Sequence, residues 1–212
     1  MQAPLITITR QYASGGSEIA RLVADRLGWT LIDNEFVDQV ARRAGLSKDE
    51  VARREERTPG LLERLAGTLA VASPEMFITT GEHPVPVEPN EDTLVKMTER
   101  VIAEASAEGR VVLVGRGAQA VLATRANAIH VYAVASKPFR KRIAMERLSV
   151  KPAEVDKVLE ATDQQRDHYV KLHYGRDRQD LTQYDIVVNT ERLGFDGAAA
   201  LVVAEVERRG WS

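Results

Sequence analysis

Between Leu5 and Leu27 the sequence reads LITITRQYASGGSEIARLVADRL. Leu5–Thr9, rich in β-branched residues, has the character of a buried strand, and Ile19, Leu22, Val23 and Leu27 then recur at the spacing of one helix face. Gly28 stands where such a helix takes its closing left-handed residue. A strand, a small-residue turn and a helix in that order gather backbone N–H groups at a helix N-terminus, where they can cradle a phosphate. Gly15 and Gly16 let that backbone approach an anion closely because neither carries a Cβ. Many α/β domains open on the same three elements and bind nothing, so a phosphate cradle and a plain turn both fit this stretch.

Set against the usual phosphate-loop pattern G-x-x-x-x-G-K-[ST], the match is partial. With Gly15 as the second glycine, Arg10 occupies the place of the first, Gly16 occupies the place of the lysine, and Ser17 fits. The loop keeps its shape and loses its main cation.

At 212 residues the chain has the size of one ordinary domain with room for a substantial core. A net charge of −2 gives no global basic excess for nucleic acid. The absence of cysteine excludes disulfides, thiolate metal sites and a cysteine nucleophile, and fits a cytoplasmic protein. MQAPLITITRQ has no basic region followed by an apolar one, so no signal peptide is expected, and no apolar run is long enough for a membrane span.

Thr30–Ile32 reads as a second strand running into Asp33-Asn34. Ligands of open parallel sheets sit outside the carboxyl ends of the strands, which puts Asp33 on the same edge as the glycine loop. Asp33 and Asn34 also suit a helix N-cap before Phe36, Val37, Val40 and Ala41, and the two roles can coexist. Ser47–Glu50 forms a capping box, and the alternating charges of Arg53–Arg57 suit a solvated face. Thr58-Pro59-Gly60 interrupts the chain before an apolar helix over Leu61–Ala72, for which a homodimer interface competes with core burial. Ser73–Asp92 holds four of the eight prolines and reads as a long loop.

A helix over Thr93–Ala107 ends at Gly109. Val111–Val114 follows as the best candidate for a central strand, buried on both faces. It leads into Gly115-Arg116-Gly117, where the arginine either meets a substrate anion or points to water. Ala128–Ala135 is the fourth strand, and Ser136-Lys137-Pro138 starts a helix. Arginines and aspartates crowd the segment that follows, as an exposed salt-bridged helix or a cationic lid. Tyr184–Asn189 is the fifth strand, and Asp196–Arg208 the closing helix. Helices separate the strands, so the sheet should be parallel with right-handed crossovers.

Taken in order, ITITRQYASGGSEIARLVADRLG, LIDNEF, VVLVGRGA, DQQRDHYVKLHYG and YDIVVNT resemble the cytidylate kinase-like family, a branch of the P-loop nucleoside monophosphate kinases. The resemblance implies an α/β, three-layer P-loop kinase fold with a five-stranded parallel sheet. Its core would comprise residues 1–34, 109–139 and 181–212, with a helical acceptor-binding region over 35–108 and a lid over 140–180. It implies ATP as phosphoryl donor, Mg²⁺ as cofactor and a nucleoside monophosphate acceptor, CMP or dCMP first. Arg10, Ala13, Ser14, Gly15, Gly16, Ser17 and Glu18 fall on the phosphate loop, with Ser17 toward Mg²⁺. Asp33 matches the acidic residue after the second strand, and Arg116 an arginine near the acceptor phosphate. Arg140, Arg147, Asp163 and Arg166 fall in the lid, so that Arg116, Arg140, Arg147 and Arg166 would neutralise the transferring phosphate while Asp33, Arg116 and Asp163 contact substrate.

Phosphoryl transfer asks for positioning and charge neutralisation more than for a general base, so none of the four histidines is needed. Two other readings stay open. One is a kinase of this fold with a different small acceptor, since Glu35–Ala107 carries no motif for cytosine. The other is a nucleotide-binding module without turnover, suggested by the missing lysine.

Overall fold

The structure, a computed structural model, describes residues 3–33, 77–79, 84–86 and 91–211. Along the chain run β1 (Leu5–Arg10), α1 (Gly16–Leu27), β2 (Thr30–Asp33), β3 (Phe77–Thr79), β4 (Pro84–Pro86), α2 (Glu91–Glu108), β5 (Val111–Val114) and α3 (Ala118–Val121). They are followed by β6 (Ala128–Val134), α4 (Lys137–Leu148), α5 (Val155–Tyr174), a 3₁₀ turn (Leu181–Gln183), β7 (Ile186–Asn189) and α6 (Thr190–Arg208). Two compact units divide the chain, residues 1–33 with 104–212 in one and residues 34–103 in the other.

The first unit is built on a five-stranded parallel sheet in the order β2-β5-β1-β6-β7. β5 is buried along its whole length as expected, but it lies between β2 and β1, and the central place belongs to β1. β1 can take that place because Leu5, Ile6 and Ile8 are apolar and its one buried hydroxyl, Thr7 Oγ1, meets His130 Nδ1 at 2.8 Å. The registers Ile8↔Val114, Asp33↔Val114 and Arg10↔Ala133 bring Asp33, Gly115, Arg10 and the end of β6 to one edge. The chain passes to opposite sides of β1 from that edge, which is where open α/β sheets bind ligands.

Side chains alternate across a strand, so Ile6 and Ile8, Val112 and Val114, and Ile129, Val131 and Ala133 share one face. Ile19 and Val23 of α1 and Val202 and Val206 of α6 cover it, and Trp29 joins the same core with Trp211 packed against it. Gly28 closes α1 at φ 65°, donating its N–H to the Ala24 carbonyl. Ser136 caps α4 by accepting from the Phe139 N–H, with Pro138 in the first turn.

Several boundaries differ from expectation, among them the start of α2, at Glu91 rather than Thr93. Ser73–Asp92 is not wholly loop, since β3 and β4 pair antiparallel with Ile78 opposite Val85. Pro84 and Pro86 fit there because both fall on the same phase of the strand, where the missing N–H can point away from the ladder. α6 starts at Thr190 rather than Asp196, because the Asn189 side chain accepts from the Glu191 and Arg192 N–H groups, and a kink at Gly194 divides the helix. β7 begins at Ile186, two residues later than read from the sequence. The capping box at Ser47 and the Leu61–Ala72 segment lie outside the described residues.

Candidate functional site

The turn from β1 to α1 has the geometry of an anion cradle. Ala13 and Gly15 take left-handed φ values of 60° and 81°, and Gly15 is the N-cap of α1 with no side chain capping the helix. The first intrahelical bond runs from the Ile19 N–H to the Gly15 carbonyl at 2.9 Å, so helix geometry directs the Gly16, Ser17 and Glu18 N–H groups outward. A helix start with that polarity favours an anion. A left-handed alanine costs about 1–2 kcal/mol. The burial of Ala13 among Ile143, Val155 and Leu159 offsets it.

Glycine is required here for contact reasons as well. A Cβ on Gly15 would overlap the Phe195 ring, 2.8 Å from its Cζ, and one on Gly16 would overlap the stem of Arg10, 2.9 Å from its Cγ. Arg147 stacks on the Phe195 ring, its Cζ 5.0 Å from the ring centroid.

Several of the expected residues converge on the floor of the cradle. The Ser17 hydroxyl donates to Asp33 Oδ2 at 3.2 Å, and Arg10 Nη2 lies 3.6 Å from Asp33 Oδ1. Among the described residues no cluster of three or more histidine or acidic side chains could cage a metal. Mg²⁺ does not ask for one, because it is held through one or two carboxylates, water and substrate phosphates. The adjoining Ser17 hydroxyl and Asp33 carboxylate, beside an uncapped helix start, suit that mode.

Other residues make contacts that hold the loop. The Ser14 hydroxyl is buried and directed at the Gln11 and Ala133 carbonyls, at 2.9 and 3.0 Å, so only its backbone belongs to the cradle. Asp163 accepts from the Tyr12 N–H at 2.8 Å and from Arg140 Nη1 at 2.6 Å, and Arg140 also reaches the Tyr12 carbonyl at 3.3 Å. Arg166 donates to the Arg10 carbonyl at 3.3 Å and lies over the Tyr12 ring. Arg140, Asp163 and Arg166 are thereby brought together behind Gln11–Ala13. Glu18 is paired with Arg21 at 2.9 Å, and this hydrogen bond holds its carboxyl below the ordinary range.

Arg178, absent from the residues expected at the site, is the centre of that anchorage. It is 5% exposed; its Nη1 donates to the Arg10 carbonyl at 2.7 Å and its Nε to Asp167 at 2.5 Å. Burial works against its charge, but Tyr132, Asp167 and Asp163 hold its pKa above the ordinary value. The YD-x-V-x-NT stretch joins that anchorage through Tyr184, while Asp185 and Thr190 tie it to β6. Tyr184 stacks on Tyr132 and donates to the Arg178 carbonyl at 2.8 Å, Asp185 accepts from the His130 N–H, and Thr190 donates to the Val134 carbonyl. Burial pushes the Tyr184 hydroxyl up to about 12.

Arg116 follows the end of β5. Gly115, Arg116 and Gly117 have φ of 74°, 49° and 70°, and a Cβ on Gly117 would overlap the Tyr174 ring. This turn lays the Arg116 guanidinium 4.9 Å from the centroid of the Tyr169 ring.

Compared with solved structures, the chain is similar in fold to an uncharacterized protein from Eubacterium ventriosum, at 19% identity and a TM-score of 0.66 over 96% of this chain and 98% of that one. It is similar also to TT1252 from Thermus thermophilus (17% identity, TM-score 0.53, 98% of each chain). Shikimate kinase from Acinetobacter baumannii, in complex with shikimate, is a third (13% identity, TM-score 0.52, 99% of this chain and 96% of that one). No curated protein matches the sequence significantly. No helix among the described residues is long and apolar enough to cross a membrane. A parallel sheet in this order and a glycine cradle between β1 and α1 give a P-loop kinase fold, and a model of the cytidylate kinase-like family matches residues 5–192. The chain belongs to the cytidylate kinase-like family.

Proposed function

We propose that the protein is a phosphotransferase that moves the γ-phosphoryl group of ATP to a nucleoside monophosphate, with CMP or dCMP as the first candidate acceptor. The observation that carries this reading is the α1 N-terminus, uncapped by any side chain, in a loop whose glycines leave no space for a Cβ and whose floor holds Ser17, Asp33 and Arg10. Backbone N–H groups at Gly15–Glu18 bind and orient the phosphate chain, and Mg²⁺ at Ser17 and Asp33 would neutralise part of its charge. Arg116, held in a fixed turn at the carboxyl edge, supplies a guanidinium that matches the acceptor phosphate. Acceptor recognition is assigned to residues 35–108, and closure over the donor to residues 140–180. The family match supports the reaction class, and the Arg116 turn supports an anionic acceptor.

ADP release from ATP and Mg²⁺, measured against a panel of nucleoside monophosphates with a no-acceptor control, tests the reading. Acceptor-dependent release that Arg116→Ala loses is expected, with CMP or dCMP giving the largest rate. ATP binding without acceptor-dependent release from any monophosphate would overturn it.

A further inference from the structure

Arg10 continues the face of β1 that points under α1, two residues beyond Ile8 and four beyond Ile6. Only 6% of its side chain is exposed. The stem crosses Gly16 so closely that a Cβ there would overlap it, lying 2.9 Å from Cγ and 3.3 Å from Cδ. The guanidinium then passes Gly115, where a Cβ would overlap Nη1 and lie 3.1 Å from Cζ, and ends 3.6 Å from Asp33. The cation thus spans the carboxyl edge from β1 across β5 to β2, beside the first turn of α1. Its backbone is fixed at the same time, because the Arg10 carbonyl accepts from both Arg178 and Arg166.

The two departures from the phosphate-loop pattern are therefore a single arrangement. The usual lysine would rise from position 16, and the stem of Arg10 fills the space in which any side chain at that position would begin. We propose that Arg10 is the cation of this loop, delivering its guanidinium across Gly16 to the β- and γ-phosphate oxygens of a nucleoside triphosphate held at the α1 N-terminus. The guanidinium stays protonated throughout and passes no proton; it offers paired N–H donors to the phosphate oxygens and stabilises the charge on them. This deepens the phosphotransferase reading and rests on it.

Calorimetric titration of ATP, ADP and adenosine, with Mg²⁺ present, into wild type, R10M, R10K and the double variant R10G/G16K tests the proposal, with R10G as reference. Loss of a charge-assisted contact weakens ATP binding by about ten- to hundredfold in R10M, while adenosine affinity is unchanged. R10K recovers part of the loss, and R10G/G16K, which moves the cation to the usual position, binds ATP more tightly than R10G. If R10M does not fold, as judged by circular dichroism, R10K and the double variant decide. Equal loss for ATP and adenosine, wild-type ATP affinity in R10M, or a double variant no better than R10G would overturn the proposal. A wild type that binds ATP but transfers phosphate to no acceptor refutes the phosphotransferase reading while a selective R10M defect still supports phosphate contact. A wild type that binds no ATP refutes both.

Discussion

Replacing Asp163 with alanine should loosen the phosphate loop. The carboxylate accepts from the Tyr12 N–H at 2.8 Å and from Arg140 at 2.6 Å, and lies 3.6 Å from Arg178. Truncation leaves one backbone donor and two largely buried guanidinium groups without their shared acceptor. Removing one partner of a buried ion pair costs about 3–5 kcal/mol, and the 18% exposure of the Asp163 side chain places this case at the lower end, about 3 kcal/mol. For a chain of this size that corresponds to about 6–12 °C in Tm. Asp163→Asn keeps an acceptor for Tyr12 but loses the charge, and should cost about half as much. The two tryptophans, Trp29 and Trp211, both lie in the unit that carries the loop, so their fluorescence during urea unfolding reads the right part of the molecule. A D163A variant within about 0.5 kcal/mol of wild type, or one no worse than D163N, would refute the view that this carboxylate holds the loop to α5.

Burial holds the His130 imidazole below its ordinary pKa of 6.5. The unfolded chain then takes up the proton first as pH falls, so this contribution is complete above about pH 6.5 and is lost from there down through the folded-state pKa. Urea titrations at neutral and mildly acid pH should show wild type losing stability relative to His130→Asn, and a pH-independent difference would count against it. Gly115→Ala adds a Cβ onto the Arg10 guanidinium at φ 74° and should lower both ATP affinity and stability. Gly175→Ala, at φ 67° with open space around it, should cost only the backbone term of about 1 kcal/mol in the same unfolding assay. Asn189→Ala removes the cap of α6 and should cost about 1 kcal/mol in the same unfolding assay.

What could be read from the sequence was local. β1, α1 with its Gly28 stop, and Ser136 with Pro138 at the start of α4 each depend on residues within a few positions of one another, so periodicity and capping chemistry were sufficient. The anchorage behind the loop was not legible. Asp163 meets Tyr12 across 151 residues of sequence, and Arg178 meets the Arg10 carbonyl across 168. Within their own segment those charges alternate as a solvated helix would, and the fold alone turns Arg178 inward. The signal that could have singled it out was the neighbouring Tyr184, whose hydroxyl fixes the Arg178 carbonyl. The β3–β4 pair was hidden by its prolines, whose tolerance depends on strand phase rather than composition.

The crowding of Arg10 against Gly16 also limits how such a loop can drift over generations. A chain carrying a long side chain at both positions would have two stems in one space, so that combination is closed as a stepping stone. The step between an arginine at the end of β1 and a lysine at the start of α1 that avoids this crowding has glycine at both positions, a loop that carries the cation of neither arrangement. Single changes at position 10 or 16 therefore differ in effect according to which residue stands at the other, and each arrangement is isolated from its alternative by a weakened intermediate.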